Sequence, residues 1–119
     1  MTSVRKQRIV NSMIFIESTI FTKLLHNYLD DKAFSEFQQY LSVNPKAGDV
    51  ISGTGGLRKV RWKGSGRGKR GGTRIIYYWQ VDKDRTLLMT IYGKNEVSDL
   101  IAKEKKLLKS MVERWDDGQ

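Results

Sequence analysis

The sequence predicts an α+β domain in which a helical hairpin and a C-terminal helix pack on an antiparallel sheet. Two observations support this prediction. Apolar residues recur at three-and-four spacing in the first third of the chain and again near its end, as in amphipathic helices. Between these segments, β-branched and aromatic runs follow one another with brief connections, which favours an antiparallel meander. The 119 residues suffice for one domain in the order β-α-α-β-β-β-α.

The first third is predicted to form one strand and two helices. The β-branched and aromatic run Met13–Glu17 suits a strand. Ser18 is a suitable cap for a first helix, and Asp30 begins a second. The second helix is expected to end at Asn44, because Pro45 disfavours helical geometry in the residue before it. The expected buried faces comprise Phe21, Leu24, Leu25, Tyr28 and Leu29 in the first helix and Phe34, Phe37 and Leu41 in the second.

A turn-rich connector over Lys46–Gly56 leads into the remaining elements. Three strands are expected at Leu57–Trp62, Thr73–Val81 and Thr86–Tyr92, and Asp82–Arg85 supplies the turn between the last two. Ser98 and Asp99 are expected to cap a final helix. Its predicted buried stripe comprises Leu100, Leu107, Leu108, Met111, Val112 and Trp115, with Lys103, Lys105, Lys106 and Lys109 in solvent.

Domain boundaries and location follow from composition. Met1–Ser12 is interpreted as a flexible extension, and the domain itself spans 13–119. The apolar patch after the N-terminal basic residues is short and lacks a small-residue cleavage site, so it does not match a signal peptide. No apolar run approaches the roughly 20 residues of a membrane-spanning helix. The chain contains no cysteine, which fits a reducing cytoplasm. We therefore expect a cytoplasmic protein that does not enter a membrane.

Positive charge is concentrated in one stretch of the chain. Between Val50 and Val81 there is no acidic residue, and the eight basic ones account for most of the formal net charge of +9. They are Arg58, Lys59, Arg61, Lys63, Arg67, Lys69, Arg70 and Arg74. A solvated basic rim around a hairpin is the alternative interpretation. Because crowded like charges repel unless an anion arrives, the absence of acids favours a phosphate-binding site.

Strand alternation sorts these cations onto one face. If Val60 points inward, Lys59 and Arg61 point the other way, and an antiparallel hairpin brings Arg74 across from Arg61. The predicted catalytic patch comprises Lys59, Arg61, Arg74, Tyr92 and Lys94. Further contacts to RNA are expected from Arg58, Lys63, Arg67, Lys69, Arg70 and Asn95.

Two motif matches are rejected on structural context. Gly66–Gly71 matches the spelling of a dinucleotide fingerprint, but a strand follows where that motif requires a helix. Lys69 follows a glycine as in a phosphate loop, but Arg70 occupies the position where a serine or threonine holds magnesium. His26 falls on the polar side of the first helix, and no cluster has metal-ligand spacing. We therefore predict neither a cofactor nor a metal.

The predicted patch suits cleavage of RNA. The 2′-hydroxyl can attack its neighbouring phosphate once a base removes its proton, and guanidinium groups then stabilise charge on the phosphoryl oxygens. Lysine normally titrates near 10.4, but neighbouring cations lower the pKa of an amine. We assign the base to Lys94 or Lys59 and the main phosphate clamp to Arg74. Tyr92 is expected either to stack on a nucleotide base or to donate a proton.

The chain resembles the RelE/ParE superfamily of toxins from bacterial type II toxin–antitoxin pairs, and most closely the HigB-type branch. The resemblance extends from about Met13 to Trp115. The segments that carry it are Asn44–Pro45, Gly48–Ile51, Gly53–Arg61, Gly68–Tyr78 and Ile91–Glu96.

This resemblance implies a small RelE-like fold and a ribosome-dependent endoribonuclease that cuts mRNA without a metal and stops translation. The family's catalytic basic residues match Lys59, Arg61 and Arg74 here. Some relatives carry a tyrosine or histidine near the start of the last helix, where this chain has Leu100 and Ile101. The resemblance also implies contact with ribosomal RNA and a cognate antitoxin, often with a helix-turn-helix domain, that blocks the basic face.

Two other functions remain compatible with the sequence. A ParE-like toxin inhibits DNA gyrase on the same fold without nuclease chemistry, and fold alone does not separate the two. A non-catalytic basic RNA-binding module is the third interpretation. All three predict salt-sensitive binding, but only the first predicts cuts in translated mRNA.

Overall fold

The computed structural model describes residues 6–63, 72–93 and 102–116. Its strands are β1 Gln7–Val10, β2 Met13–Glu17, β3 Asp49–Val50, β4 Arg58–Trp62, β5 Thr73–Gln80 and β6 Arg85–Gly93. Its helices are α1 Thr19–Leu25, α2 Asp31–Val43 and α3 Ala102–Asp116, with a short 3₁₀ turn at Val81–Lys83. The predicted α+β class is confirmed. No helix in these ranges is long and apolar enough to span a bilayer.

The strands form one six-stranded sheet in the order β1-β2-β6-β5-β4-β3. The predicted meander of β4, β5 and β6 is antiparallel. The sheet as a whole is mixed rather than antiparallel, because β2 pairs parallel to β6. The helices between β2 and β3 carry the chain from β2 to the opposite end of the sheet. From there β3, β4, β5 and β6 follow in sequence order, and β6 lies beside β2. In this arrangement Ile16 lies next to Leu87, and both side chains are buried.

The predicted helix starts are confirmed by their caps. Ser18 Oγ accepts a hydrogen bond from the amide of Phe21 at 3.0 Å. Asp30 Oδ1 accepts one from the amide of Ala33 at 2.8 Å. Each bond satisfies a backbone donor that has no partner within the helix. The second helix ends at Val43, one residue before the expected limit.

The sheet separates two hydrophobic clusters. The first lies under α1 and α2 and includes Phe21, Leu25, Phe37, Leu41, Val60, Ile75 and Tyr77. The second lies under α3 and includes Ile16, Leu57, Ile76, Leu87, Met89, Tyr92 and Val112. The helical hairpin and the C-terminal helix therefore cover opposite faces of the sheet. This division determines which strand side chains remain accessible on each face.

The buried stripe of α3 differs from the prediction at one described position. Leu107 is 61% exposed, whereas Val112 is buried. Leu108 and Val112 lie one turn apart and centre the contact face, so Leu107 is rotated about 100° from that centre. The predicted cap at Ser98 and Asp99, together with Leu100, falls outside the described residues.

Part of the predicted N-terminal extension belongs to the sheet. Strand β1 pairs antiparallel with β2 through a two-residue turn at Asn11 and Ser12. Both turn residues have positive φ, 49° and 73°, as a type I′ hairpin turn requires. The Asn11 side chain also donates a hydrogen bond of 2.9 Å to Ser42 Oγ. This hairpin is therefore tied to helix α2.

Candidate nucleic-acid site

Arg61, Arg74 and Tyr92 form one row across three adjacent strands. Arg61 on β4 is the Cα partner of Arg74 on β5, and Arg74 is the partner of Tyr92 on β6. Directly opposed side chains in antiparallel strands have Cβ atoms about 5 Å apart and point to the same face. The row lies on the α3 face, because Ile76 and Tyr92 belong to the cluster on that side. The predicted convergence of these three residues is present in the register.

Lys59 lies beside the row, two positions before Arg61 on β4. It is the Cα partner of Ile76 and lies on the same face. Arg61 is exposed, whereas Lys59 and Arg74 are half-buried. Lys63 is exposed immediately after the end of β4. The four cations therefore pass from a half-buried position to open solvent near the start of the basic loop, the connection from Lys63 to Gly72 that contains Arg67, Lys69 and Arg70.

An acidic residue stands beside this group. Asp49 on β3 is the Cα partner of Lys59, so the two side chains share a face at the edge of the sheet. Asp49 directly precedes the acid-free stretch that begins at Val50, so the sequence alone did not indicate a carboxylate beside Lys59. Asp49 offsets the charge of Lys59, and the two arginines of the row lie one step further from it.

Tyr92 is more deeply buried than a stacking role requires. Its side chain is 7% exposed and belongs to the hydrophobic cluster under α3. Little of the ring surface is therefore available to a nucleotide base. The hydroxyl oxygen of Tyr92 is buried as well, so this burial favours neither of the two predicted roles over the other.

A bulge in β6 places Tyr92 on the α3 face. The register with β5 shifts between Ile76 and Tyr77, which leaves Met89 as the extra residue on β6. After the shift, Thr90 pairs with Ile76 and shares the face of the row. Thr90 was not singled out from the sequence, although its two-residue spacing from Tyr92 signals a common face.

Arg58 lies on the opposite face of the sheet and contacts backbone rather than the row. Its Nη1 donates to the carbonyl oxygen of Gly48 at 2.7 Å and to that of Lys46 at 3.4 Å. These bonds hold the turn before β3. The structure therefore does not bring Arg58 together with Lys59 and Arg61.

The remaining predicted site residues fall outside the described ranges. They are Arg67, Lys69 and Arg70 in the basic loop and Lys94 and Asn95 after β6. The base of the loop is described at Gly72, which has φ +80°. A Cβ atom at this position would lie 2.7 Å from the carbonyl oxygen of Trp62. A glycine is needed here for both its backbone conformation and its close approach to β4.

The row can bind a phosphate. Arg61 and Arg74 lie on neighbouring strands, and each guanidinium group carries a fork of N–H donors that matches phosphate oxygens in geometry and charge. Like charges placed opposite each other destabilise a sheet, and a bound anion removes that repulsion. Within the described ranges, no group of three histidine, cysteine, aspartate or glutamate side chains is placed to hold a metal ion. No protein-family model matches the chain.

Proposed function

We propose that this protein is a metal-independent endoribonuclease that cleaves mRNA on the ribosome and inhibits translation, as the toxin of a toxin–antitoxin pair. The observation that carries the proposal is the row Arg61–Arg74–Tyr92, with Lys59 one step away on the same face. This row combines two phosphate-binding groups, a phenol and an amine within the span of three strands. The family resemblance of the sequence supports the ribosome as the place of action.

In the proposed reaction, the ribose 2′-oxygen attacks the adjacent phosphorus, and the 5′-oxygen of the next nucleotide leaves. Arg61 and Arg74 bind the non-bridging oxygens and stabilise the charge that grows on them in the transition state. Lys59 or Lys94, in its neutral form, removes the 2′-hydroxyl proton. Tyr92 supplies a proton to the leaving oxygen. The products are a 2′,3′-cyclic phosphate and a 5′-hydroxyl end.

The proposed partners follow from the same charge. Single-stranded RNA carries one phosphate per nucleotide. For each phosphate that the protein neutralises, the slope of the logarithm of the binding constant against the logarithm of salt concentration becomes more negative by about 0.7. An antitoxin is expected to block the row with acidic side chains, since these also pair with guanidinium groups. The protein is expected to act in the cytoplasm, where ribosomes translate.

The decisive test is translation in vitro with purified protein, followed by primer extension on the message. We expect cuts within translated codons only when ribosomes are present, with 5′-hydroxyl ends. The double variant Arg61→Ala/Arg74→Ala should lose at least about a hundredfold in cleavage rate, as is typical when transition-state donors are removed. Lys23→Ala/Lys32→Ala is the matched control, because it removes the same charge from exposed positions on α1 and α2.

The outcomes separate the three candidate functions. Cleavage at the original rate in the arginine double variant would remove the row from catalysis. Intact message combined with blocked DNA supercoiling by gyrase would support the ParE-like alternative. Intact message, unaffected gyrase and salt-dependent RNA binding would leave a non-catalytic binding module.

A further inference from the structure

Strand β1 forms one edge of the sheet and carries hydrogen-bonding groups that point away from it. The β1–β2 register pairs Arg8 with Phe15 and Ile9 with Ile14. The Lys6 carbonyl accepts a hydrogen bond from the Glu17 amide at 2.9 Å, which fixes the alternation. Even-numbered residues of this strand therefore bond to β2. Gln7 and Ile9 direct their N–H and C=O groups outward.

The side chains of this edge alternate between apolar and basic. Ile9 is 69% exposed and shares the α3 face with Ile14, its partner on β2. Arg8 points to the α2 face, where its Nη1 donates to Gln38 Oε1 at 2.8 Å. Lys6 lies on the same face as Arg8 and is exposed. The Arg8–Gln38 bond ties the edge strand to a buried side chain of α2, so this edge is held in an extended shape.

Charge determines which kind of strand fits this edge. For a second copy of the chain, the antiparallel register that uses the outward groups of both Gln7 and Ile9 is centred on Arg8. That register sets Arg8 directly opposite its own copy, and like charges in this position are destabilising. A carboxylate at the same position is stabilising instead. The edge therefore discriminates against a second copy and in favour of an acidic segment.

The other end of the sheet has the opposite preference. Strand β3 is two residues long and carries Asp49, which repels an acidic strand. Short and charged edges are common protection against unwanted pairing. An acidic extended segment thus has one suitable edge among the described strands.

We propose that β1 is a docking edge for an extended acidic segment of a partner protein, which adds a seventh strand to the six of the sheet. The segment places a carboxylate opposite Arg8 and apolar side chains on the α3 face beside Ile9. Its backbone bonds to Gln7 and Ile9 supply affinity, and the alternation of side chains supplies specificity.

This inference does not rest on the proposed function. A strand added outside β1 would be five strand positions, about 24 Å, from Arg61 on β4 and three positions, about 14 Å, from Tyr92 on β6. A partner docked at β1 leaves the row Arg61–Arg74–Tyr92 accessible. Docking and RNA binding can therefore be measured separately on the same protein.

The test uses a short capped peptide of alternating valine and glutamate, with a valine–lysine peptide of equal length as its control. Binding is followed by amide chemical shifts and hydrogen exchange in the full-length protein. We expect slowed exchange of the Gln7 and Ile9 amides and no change at Arg61 and Arg74. Arg8→Glu should weaken binding of the glutamate peptide by about fivefold or more, since the opposed pair becomes repulsive. The same variant should bind the lysine peptide better than the original protein does.

Lys32→Glu is the matched control, because it makes the same charge change at an exposed position of α2 away from the edge. A thermal melt of each variant checks that the fold is retained. Equal loss of binding in Arg8→Glu and Lys32→Glu overturns the proposal in favour of general electrostatics. Peptide-induced shifts at Arg61 and Arg74 instead of Gln7 and Ile9 also overturn it. So does protection of Gln7 and Ile9 without peptide in a concentration-dependent dimer, which would identify a second copy as the occupant.

Discussion

Asp49 on β3 lies directly across from Lys59 on β4, so the candidate site has a carboxylate at its edge. A pair of this kind contributes only modestly to stability when it is partly exposed. Its effect on a bound anion is larger in principle, because the carboxylate repels phosphate while it attracts the amine. Under the proposed function, Asp49 would therefore limit how much of the Lys59 charge acts on bound RNA.

Asp49→Asn should tighten binding of a single-stranded oligoribonucleotide. We expect an affinity gain of up to about fivefold at low salt, which corresponds to about 1 kcal/mol for one exposed charge. Fluorescence anisotropy across a salt series measures the gain, which should shrink as ionic strength rises. Asp82→Asn is the control, since Asp82 is exposed in the 3₁₀ turn after β5. An equal gain in both variants would mean that net charge alone determines affinity.

The pairing of Asp49 with Lys59 shows where sequence reasoning reaches its limit. Alternation along a strand predicts which residues share a face, and this placed Lys59 and Arg61 together. Short connections predict which strands are neighbours, and this brought Arg74 opposite Arg61. Neither rule predicts that the connector before β4 folds back as β3, because two residues of strand leave no periodic signal.

The parallel pairing of β2 and the bulge in β6 escaped prediction for related reasons. A strand's partner far along the chain depends on tertiary packing, here on the burial of Ile16 next to Leu87. The bulge follows the run Leu87, Leu88 and Met89, all of which are buried. Because helices cover both faces of the sheet, such a run stays buried with or without a bulge, so the apolar run alone did not signal one. The caps at Ser18 and Asp30 were predictable because capping depends on local sequence alone.

Replacing Arg74 with lysine tests whether the clamp needs two donors in a fixed plane. Lysine keeps the charge but loses the forked geometry that matches phosphate. We expect Arg74→Lys to lower the single-turnover cleavage rate by about tenfold or more while the salt dependence of RNA binding stays unchanged. Lys63→Arg is the complementary control, because Lys63 is exposed beyond the end of β4 and the substitution keeps its charge. Full activity of Arg74→Lys would mean that the arginine contributes no more than a positive charge.

The buried hydroxyl of Tyr77 ties the turn before β3 to the sheet. It donates to the Pro45 carbonyl at 2.8 Å and accepts from the Gly48 amide at 3.0 Å. Tyr77→Phe leaves both backbone groups without this partner and should lower the free energy of unfolding by about 1–3 kcal/mol. Urea denaturation at neutral pH measures the loss. Tyr40→Phe is the control, because it makes the same change at a residue that is 42% exposed.

Tyr77 also predicts a loss of stability in alkali. Burial raises the pKa of Tyr77 above its ordinary value of 10.0, so the folded state retains the phenol proton that the unfolded chain releases. The contribution of the Tyr77 phenol to the free energy of unfolding is fully present below about pH 10, and it falls as the pH rises towards the folded-state pKa. The difference in unfolding free energy between the original protein and Tyr77→Phe should therefore narrow above pH 10. A constant difference across this range would show that the folded-state pKa of Tyr77 is not raised.

Gly48 is the position where a single added methyl group should disturb both the fold and the site. A Cβ atom there would lie 2.8 Å from the carbonyl oxygen of Lys59 and 3.0 Å from the ring of Tyr77. Because backbone blocks one side and a buried ring the other, Gly48→Ala should destabilise the protein by about 1–3 kcal/mol. It should also reduce cleavage by displacing Lys59.

Gly53→Ala is the control: Gly53 has φ +78° but open space around it, so the substitution strains the backbone without moving β4. Measured where both variants remain folded, cleavage should fall in Gly48→Ala and persist in Gly53→Ala. Equal activity of the two variants would mean that cleavage does not depend on the position of Lys59, and Lys94 would remain as the candidate general base.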